Sequence, residues 1–244
     1  MRGCRIHSIE TLGGVDGPGV RCVIFFQGCP LRCLYCQNPE TQCLGGGREA
    51  SVEELMRTIE RMRPYFGSEG GVTLSGGEPL AQPVAAAELL RACRAVGIHT
   101  AIDTSGICAT PDALETARLA DLLLLDMKHP DPVKCRELTG SGLDSALTLL
   151  NAAEAQRQTI WIRHVVVPGW SDTPELVEDL AVLLAPFTCI QRVELLPYHT
   201  LATEKYRALG RDQPLPGTPA ADPAAVQQLE QQLRKRLATL KGFI

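Results

Sequence analysis

Gln27-Gly28-Cys29-Pro30-Leu31-Arg32-Cys33-Leu34-Tyr35-Cys36-Gln37-Asn38 places three cysteines in the spacing C-x3-C-x2-C. Thiolates this close in sequence can all face one soft metal centre, and their number separates the candidate centres. A structural zinc ion takes four protein ligands in a closed tetrahedron. An electron-transfer cluster of four irons takes four cysteines. Three cysteines leave one iron without a protein ligand, open to a molecule that reacts. Zinc would need Cys43 or a distant histidine as its fourth ligand. Pro39 and Gly45-Gly46-Gly47 bracket Cys43 and predict a loop leading away from the trio, so the pattern favours the cluster.

Working outward, the loop follows an apolar run at residues 20–26, the first of six strand-like segments. The others are 71–74, 100–103, 122–126, 160–167 and 192–196. Amphipathic windows at 52–62, 84–96, 111–118, 143–156, 174–184 and 224–240 predict helices. Ser51 with Glu54 three residues on has the form of a capping box, and Pro111 and Pro174 stand at first-turn positions. Strands alternating with helices pair in parallel through right-handed crossovers. Six units are too few for a closed eight-fold barrel, so the pattern predicts an α/β fold: a partial, open (β/α)6 barrel built on a parallel sheet. No boundary or internal repeat divides residues 1–244, which predicts a single domain. The proline-rich stretch 211–222 reads as a loop leading to the C-terminal helix.

Composition bounds the rest. At 244 residues the chain is long enough for one large α/β domain, and 45% hydrophobic with 21% charged residues is ordinary globular composition. A net charge of −4 without a long basic run gives no reason to expect nucleic acid. Residues 1–19 lack an apolar core of signal-peptide length, and apolar runs such as 122–125 are strand-sized, which predicts a cytoplasmic protein without a membrane segment. Ten cysteines suggest disulfides, but the size of the chain and the missing signal segment argue against them. Cys4, Cys22, Cys43, Cys93, Cys108, Cys135 and Cys189 lack ligand spacing, and most read as small core residues.

Each strand-like run ends in reactive or turn-forming side chains. The first leads into the cysteines, and others into Ser75-Gly76-Gly77-Glu78-Pro79, Asp103-Thr104-Ser105-Gly106, Asp126-Met127-Lys128 and Pro197-Tyr198-His199, while the fifth carries Arg163-His164. In barrel-type α/β folds such carboxyl ends form the functional rim. By itself Gly-Gly-Glu is a turn, Asp126 with Lys128 an exposed salt bridge, and Asp103-Thr104 a cap for the following turn. His7, His99 and His164 read as structural.

C-x3-C-x2-C followed by a Gly-Gly-Glu strand end resembles the radical S-adenosylmethionine superfamily. More narrowly, several stretches resemble the pyruvate formate-lyase activating enzymes of its glycyl-radical-activating branch. They are Arg5-Ile6-His7-Ser8, Val15-Asp16-Gly17-Pro18-Gly19-Val20-Arg21, Phe25-Phe26-Gln27-Gly28-Cys29 and Gly97-Ile98-His99-Thr100. Trp161-Ile162-Arg163, Val165-Val166-Val167-Pro168-Gly169-Trp170-Ser171-Asp172 and Glu194-Leu195-Leu196-Pro197-Tyr198-His199 complete the set. The resemblance runs from near the N-terminus to about Gly210.

The resemblance implies a [4Fe-4S] cluster on Cys29, Cys33 and Cys36, with S-adenosylmethionine on the fourth iron. One electron splits a carbon–sulfur bond, and the resulting 5'-deoxyadenosyl radical takes hydrogen from a backbone glycine of a partner enzyme. It implies cofactor contacts from Tyr35, Cys36, Gln37, Gly76, Gly77, Glu78, Asp126, Met127, Lys128, Arg163 and His199. Gly76 and Gly77 would let backbone approach the methionine moiety, Glu78 would accept from its ammonium group, and Lys128 and His199 would meet its carboxylate and ribose. Relatives often carry His where Gln37 stands. Arg163 and Asp16 would meet the peptide substrate, residues 201–210 would form a flap, and Asp103, Thr104 and Asp126 would hold a monovalent cation. The partners implied are a glycyl radical enzyme, pyruvate formate-lyase foremost, and a one-electron donor such as flavodoxin or ferredoxin, in anaerobic metabolism. Another glycyl radical enzyme or a small molecule is the alternative substrate, and a metal-binding module without activity is a third reading.

Overall fold

The structure is a computed structural model that describes residues 3–240. These sort into two compact units. One takes in the chain up to Pro30 and Glu40–Leu125, the other Leu31–Pro39 and the chain from Asp126 onward.

The first unit contains β1 (Cys4–Gly13), β2 (Arg21–Phe26), β3 (Arg48–Ala50), α1 (Val52–Met62), β4 (Gly71–Gly76), α2 (Pro83–Ala95), β5 (His99–Thr104) and α3 (Pro111–Ala117). It ends in β6 (Leu122–Asp126), whose last residue belongs to the second unit. Its strands lie in the order β3-β1-β2-β4-β5-β6. From β2 to β6 every pairing is parallel, while β1 runs antiparallel to both β2 and β3. Strands β2, β4 and β6 are buried at nearly every residue. That is why they read as continuous apolar runs rather than alternating ones. Helix α1 opens as its sequence predicts, with Ser51 Oγ accepting from the Glu54 N–H at 3.1 Å. It buries Val52, Leu55 and Ile59, spaced along one face.

The second unit contains α4 (Pro132–Thr139), α5 (Asp144–Gln156), β7 (Ile160–Val166), α6 (Pro174–Leu184), β8 (Ile190–Pro197), α7 (Thr203–Ala208) and α8 (Pro223–Leu240). Strands β7 and β8 are parallel, with Arg163 opposite Glu194. Helix α8 buries Val226, Leu229, Leu233 and Leu237. It is fixed to α6 by a forked Arg236–Glu178 pair with both bonds at 2.7 Å, and to β8 by Glu230, which accepts from the Leu195 N–H. Within its own unit β3 pairs with β1, and β8 with β7.

The six expected strands are present within about two residues, as are the six expected helices. Strands β1 and β3 and helices α4 and α7 are additions to the sequence reading. Residues 211–222 do connect α7 to α8 without regular structure. The stretch after Cys36 departs from expectation: it turns back instead of leading away. Gln27 Nε2 donates to the Glu40 and Cys43 carbonyls, and the Gly28 N–H donates to the Thr41 carbonyl at 2.7 Å.

A buried ion organises the amino end of the first unit's sheet. Arg21, the first residue of β2, is 0% exposed. Its Nε donates to Thr73 Oγ1 at 2.9 Å, Nη2 to the Val72 carbonyl, and Nη1 lies 3.2 Å from His99 Nδ1. Thr73 Oγ1 in turn donates to the Asp16 carbonyl at 2.7 Å. Burial pulls the guanidinium down to about 10, with Asp121 and Asp16 opposing the fall. Gly19, at φ +64, lies so close to the chain that a Cβ there would sit 2.6 Å from the Gly70 nitrogen. Lysine at position 21 keeps the charge but not the fork. Arg21→Lys is expected to cost about 2–4 kcal/mol, because hydrogen bonds to a buried charge are lost together. Urea denaturation should show a lower midpoint with an unchanged slope.

Candidate active site

In the first unit the carboxyl ends of β2 and β4 are level, with Phe26 paired to Gly76. The turn that follows β4 is stitched to the start of the cysteine loop. The Gly77 N–H donates to the Phe26 carbonyl and the Glu78 N–H to the Gly28 carbonyl, both at 2.9 Å. A Cβ on Gly77 would stand 2.4 Å from the Gly28 oxygen, and one on Gly76 would stand 2.7 Å from the Phe25 Cα. The two glycines are therefore required by backbone packed against backbone. The expectation that they make room for a cofactor is not needed to explain them.

Glu78 departs from the role of an open acceptor. Its carboxylate is fully buried and takes four hydrogen bonds. Oε1 accepts from the Leu80 N–H (3.1 Å) and Thr104 Oγ1 (2.7 Å); Oε2 accepts from the Ser105 N–H (3.0 Å) and Ser105 Oγ (2.6 Å). Burial pushes its carboxyl up, and these bonds oppose the shift. Thr104 Oγ1 also accepts from the Gly106 N–H, which is the turn-capping arrangement, so its hydroxyl is engaged twice. Asp103 accepts from Ser75 Oγ at 2.8 Å. Asp16 lies at the amino end of β2, a six-residue strand away from the cysteine loop, or roughly 17 Å along the chain.

In the second unit Cys33, Tyr35, Cys36, Gln37, Asp126, Lys128 and His199 form one neighbourhood. Its cysteine segment rests on the end of α4, with the Arg32 N–H donating to the Thr139 carbonyl and the Leu34 N–H to the Leu138 carbonyl. The Cys36 N–H closes a turn onto the Cys33 carbonyl at 3.2 Å. Gln37 has a definite side-chain role: Nε2 donates to the Tyr35 carbonyl (3.2 Å) and the His199 carbonyl (2.9 Å). Lys205 on α7 donates to the Gln37 carbonyl and to Asn38 Oδ1. The expected flap thus contains a helix fastened to the cysteine segment.

Lys128 Nζ sits 2.6 Å from Asp126 Oδ2 and 5.7 Å from the centre of the Tyr35 ring. The pair is mostly buried rather than an exposed salt bridge. Burial lowers the Lys128 ammonium's affinity for its proton, but Asp126, Tyr35 and Cys33 outweigh that and the net shift is upward. Burial pushes the Cys33 thiol up to about 11, with Lys128 opposing.

Met127 does not present itself to a ligand. Its side chain is 0% exposed, its N–H donates to the Arg163 carbonyl, and its carbonyl accepts from His164 Nδ1. Arg163 is buried, with its Nε 3.7 Å from Glu194 Oε2, so a protein carboxylate already faces it. His164 is structural, as its position predicts.

Gln27 and Ser105 stand in stretches that the sequence reading quoted without giving them a role, and Gln82 it missed. Gln82 Nε2 donates to the Arg5 and Gln27 carbonyls while its Oε1 accepts from the Arg5 N–H. Nothing in the local pattern marks these residues, because their partners lie up to 77 positions away.

The donor set suits an iron–sulfur cluster. None of the ten cysteines is in a disulfide; Cys29 and Cys36 are part-exposed and Cys33 is buried. Thiolates are the ligands such a cluster takes. The Tyr35 hydroxyl is buried without a hydrogen-bond partner, an orphaned polar atom next to that loop.

The sequence profile of the Radical SAM superfamily matches residues 23–181. A solved structure of *Streptococcus suis* SuiB bound to its precursor peptide SuiA shares the fold at a TM-score of 0.70 and 18% identity, covering 89% of this chain and 46% of that one. A domain of a pyruvate-formate lyase-activating enzyme from *Bacteroides vulgatus* superposes with a TM-score of 0.56 at 24% identity, covering 68% of this chain and 94% of that one. Fold and sequence define a radical S-adenosylmethionine protein, a class built around a [4Fe-4S] cluster and S-adenosylmethionine.

The pyruvate formate-lyase-activating enzyme of *Clostridium pasteurianum* is 45% identical over 234 residues, 96% of this chain and 98% of that one. That of *Staphylococcus aureus* is 40% identical over 230 residues, 91% and 92% of the two chains. The chain belongs to the pyruvate formate-lyase-activating enzyme family. No described helix is long and apolar enough to cross a membrane.

His164 gives this unit a pH dependence. Burial pulls its imidazole down to about 4, against an ordinary value near 6.5. Between those values the unfolded chain binds the additional proton. Stability is therefore complete above about pH 6.5 and is lost as pH falls toward 4, by up to roughly 3 kcal/mol. Urea titrations at pH 7 and 4.5 should show this loss, and His164→Gln should flatten it.

Proposed function

We propose that this chain activates a glycyl radical enzyme, pyruvate formate-lyase foremost, by removing one hydrogen from a backbone glycine of that partner. The observation that carries the reading is the 45% identity to an activating enzyme over nearly the whole of both chains. That span includes the three-cysteine loop. The family match crosses both compact units, which supports one radical S-adenosylmethionine domain.

In this reading Cys29, Cys33 and Cys36 would hold a [4Fe-4S] cluster and leave one iron open to S-adenosylmethionine. When bound, the two groups supply a one-electron cleavage of a carbon–sulfur bond and the hydrogen-abstracting power that follows. The chain's own residues bind and orient. Lys128, held as a cation by Asp126, meets the cofactor's carboxylate, and His199 its ribose. Tyr35 and Gln37 line the adenine side, with the Gln37 amide fixing the segment that does so. Gly76 and Gly77 offer backbone groups to the methionine moiety. Asp103, Thr104 and Asp126 would supply oxygen donors to a monovalent cation.

Asp16 acts at a distance from the chemistry. A peptide drawn out along β2 covers about 17 Å in five or six residues, enough to reach from the cysteine loop to the Asp16 turn. A flavodoxin or ferredoxin supplies the electron, and the cytoplasm is the compartment.

Anaerobic mixtures of the reduced protein, S-adenosylmethionine and pyruvate formate-lyase should give the electron paramagnetic resonance signal of a glycyl radical. Cys29→Ala, Cys33→Ala or Cys36→Ala should each abolish both cluster reduction and that signal. Full activity in any one of them would sink the assignment, and a radical only on a different glycyl radical enzyme would redirect the choice of partner. Asp16→Asn should raise the partner's KM about 5-fold, equivalent to roughly 1 kcal/mol at a part-exposed charged contact. Cluster content should not change in that variant.

A further inference from the structure

Glu78 spends its whole hydrogen-bonding capacity inside the protein. A carboxylate offers about four lone-pair positions. Leu80, Thr104 and Ser105 fill them with four donors at 2.6–3.1 Å, in a position with no solvent exposure. Ser105 supplies two of the four, through its N–H and its hydroxyl, and both go to the same oxygen. The backbone of the same residue, Glu78, donates to the Gly28 carbonyl, one position before Cys29. The turn after β4 is thus gripped on two sides. Its backbone is tied to the cysteine loop, and its one charged side chain to the end of β5.

We propose that Ser105 is a positioning residue for S-adenosylmethionine, acting through the Glu78 carboxylate to hold the Gly76-Gly77 turn in register with Gly28. The proposal rests on the reading that this turn faces the methionine moiety. It moves Glu78 from the role of ligand to that of clamp, and gives Ser105, which has no motif of its own, a part in binding. The geometry asks for a donor pair at Ser105 because the peptide N–H alone leaves Oε2 with one partner in a site that water does not reach. An under-satisfied buried carboxylate swings toward any other donor, and the turn swings with it.

The test uses the cluster-loaded protein and measures the dissociation constant of S-adenosylmethionine from the change it makes in the reduced cluster's electron paramagnetic resonance signal. Ser105→Ala is expected to weaken binding 5- to 20-fold with iron content unchanged. Ser105→Thr, which restores the hydroxyl, should return within about 2-fold of the parent. Combining Ser105→Ala with Glu78→Gln should weaken binding no further than Glu78→Gln alone, as required if the serine acts only through that side chain. If Glu78→Gln does not fold, the alanine and threonine variants decide the question by themselves. A merely structural hydroxyl would lower the melting temperature of Ser105→Ala and leave the dissociation constant where it was; that result overturns the proposal. Additive losses in the double variant overturn it as well. If the parent protein shows no response to S-adenosylmethionine at all, the cofactor reading fails first and takes the proposal with it.

Discussion

The hydrogen bond from the Glu78 N–H to the Gly28 carbonyl fixes where the cysteine loop begins. The loop that contains Cys29, Cys33 and Cys36 has neither a helix nor a ladder to hold it, so its polar backbone groups need partners elsewhere. Gly28 finds them on both sides: its N–H goes to Thr41 and its carbonyl receives Glu78. Its φ of +96°, and the tight approach of Gly77, leave no place for side chains at that crossing. Gln27 and Gln82 brace the preceding residues, and α4 receives the backbone of Arg32 and Leu34 further along. The reactive loop is irregular in shape and heavily constrained in fact.

The charges follow the same economy. Lys128 stays an ammonium in a buried place because Asp126 stands 2.6 Å away. Glu78 is held by four neutral donors from Leu80, Thr104 and Ser105. Arg21 does for the amino end of β2 what these groups do for the carboxyl ends: it ties the Asp16 turn to the sheet through Thr73. Each ion is therefore part of the frame before it is part of any chemistry.

Much of this was legible in the chain. Apolar runs buried on both faces announced β2, β4 and β6, and Ser51 with Glu54 announced α1. The C-x3-C-x2-C spacing pointed to the radical S-adenosylmethionine class that the family match shows. Strand β1 was hidden because its register shifts twice and most of its residues between Ile6 and Gly13 are exposed, which erases any alternation. Helix α4 carried readable signals in Asp131-Pro132 and Gly140, the N-cap and the left-handed C-cap, but is too short for a clear period. The strand-end residues could be listed from the sequence, yet what their polar atoms touch was not readable. Glu78, Met127 and Arg163 each turn out to be engaged by protein groups far away in sequence. Spacing shows which residues lie at a strand end, and only the fold shows whether their polar atoms are already taken.

The central claim is that three cysteines leave one iron of the cluster for S-adenosylmethionine. Mössbauer spectroscopy of the iron-57-loaded protein, with and without S-adenosylmethionine, tests it most directly. The account predicts that one iron in four changes its parameters on addition while the other three keep theirs. Four equivalent irons that ignore S-adenosylmethionine, or a protein that takes up zinc instead of iron, would contradict it.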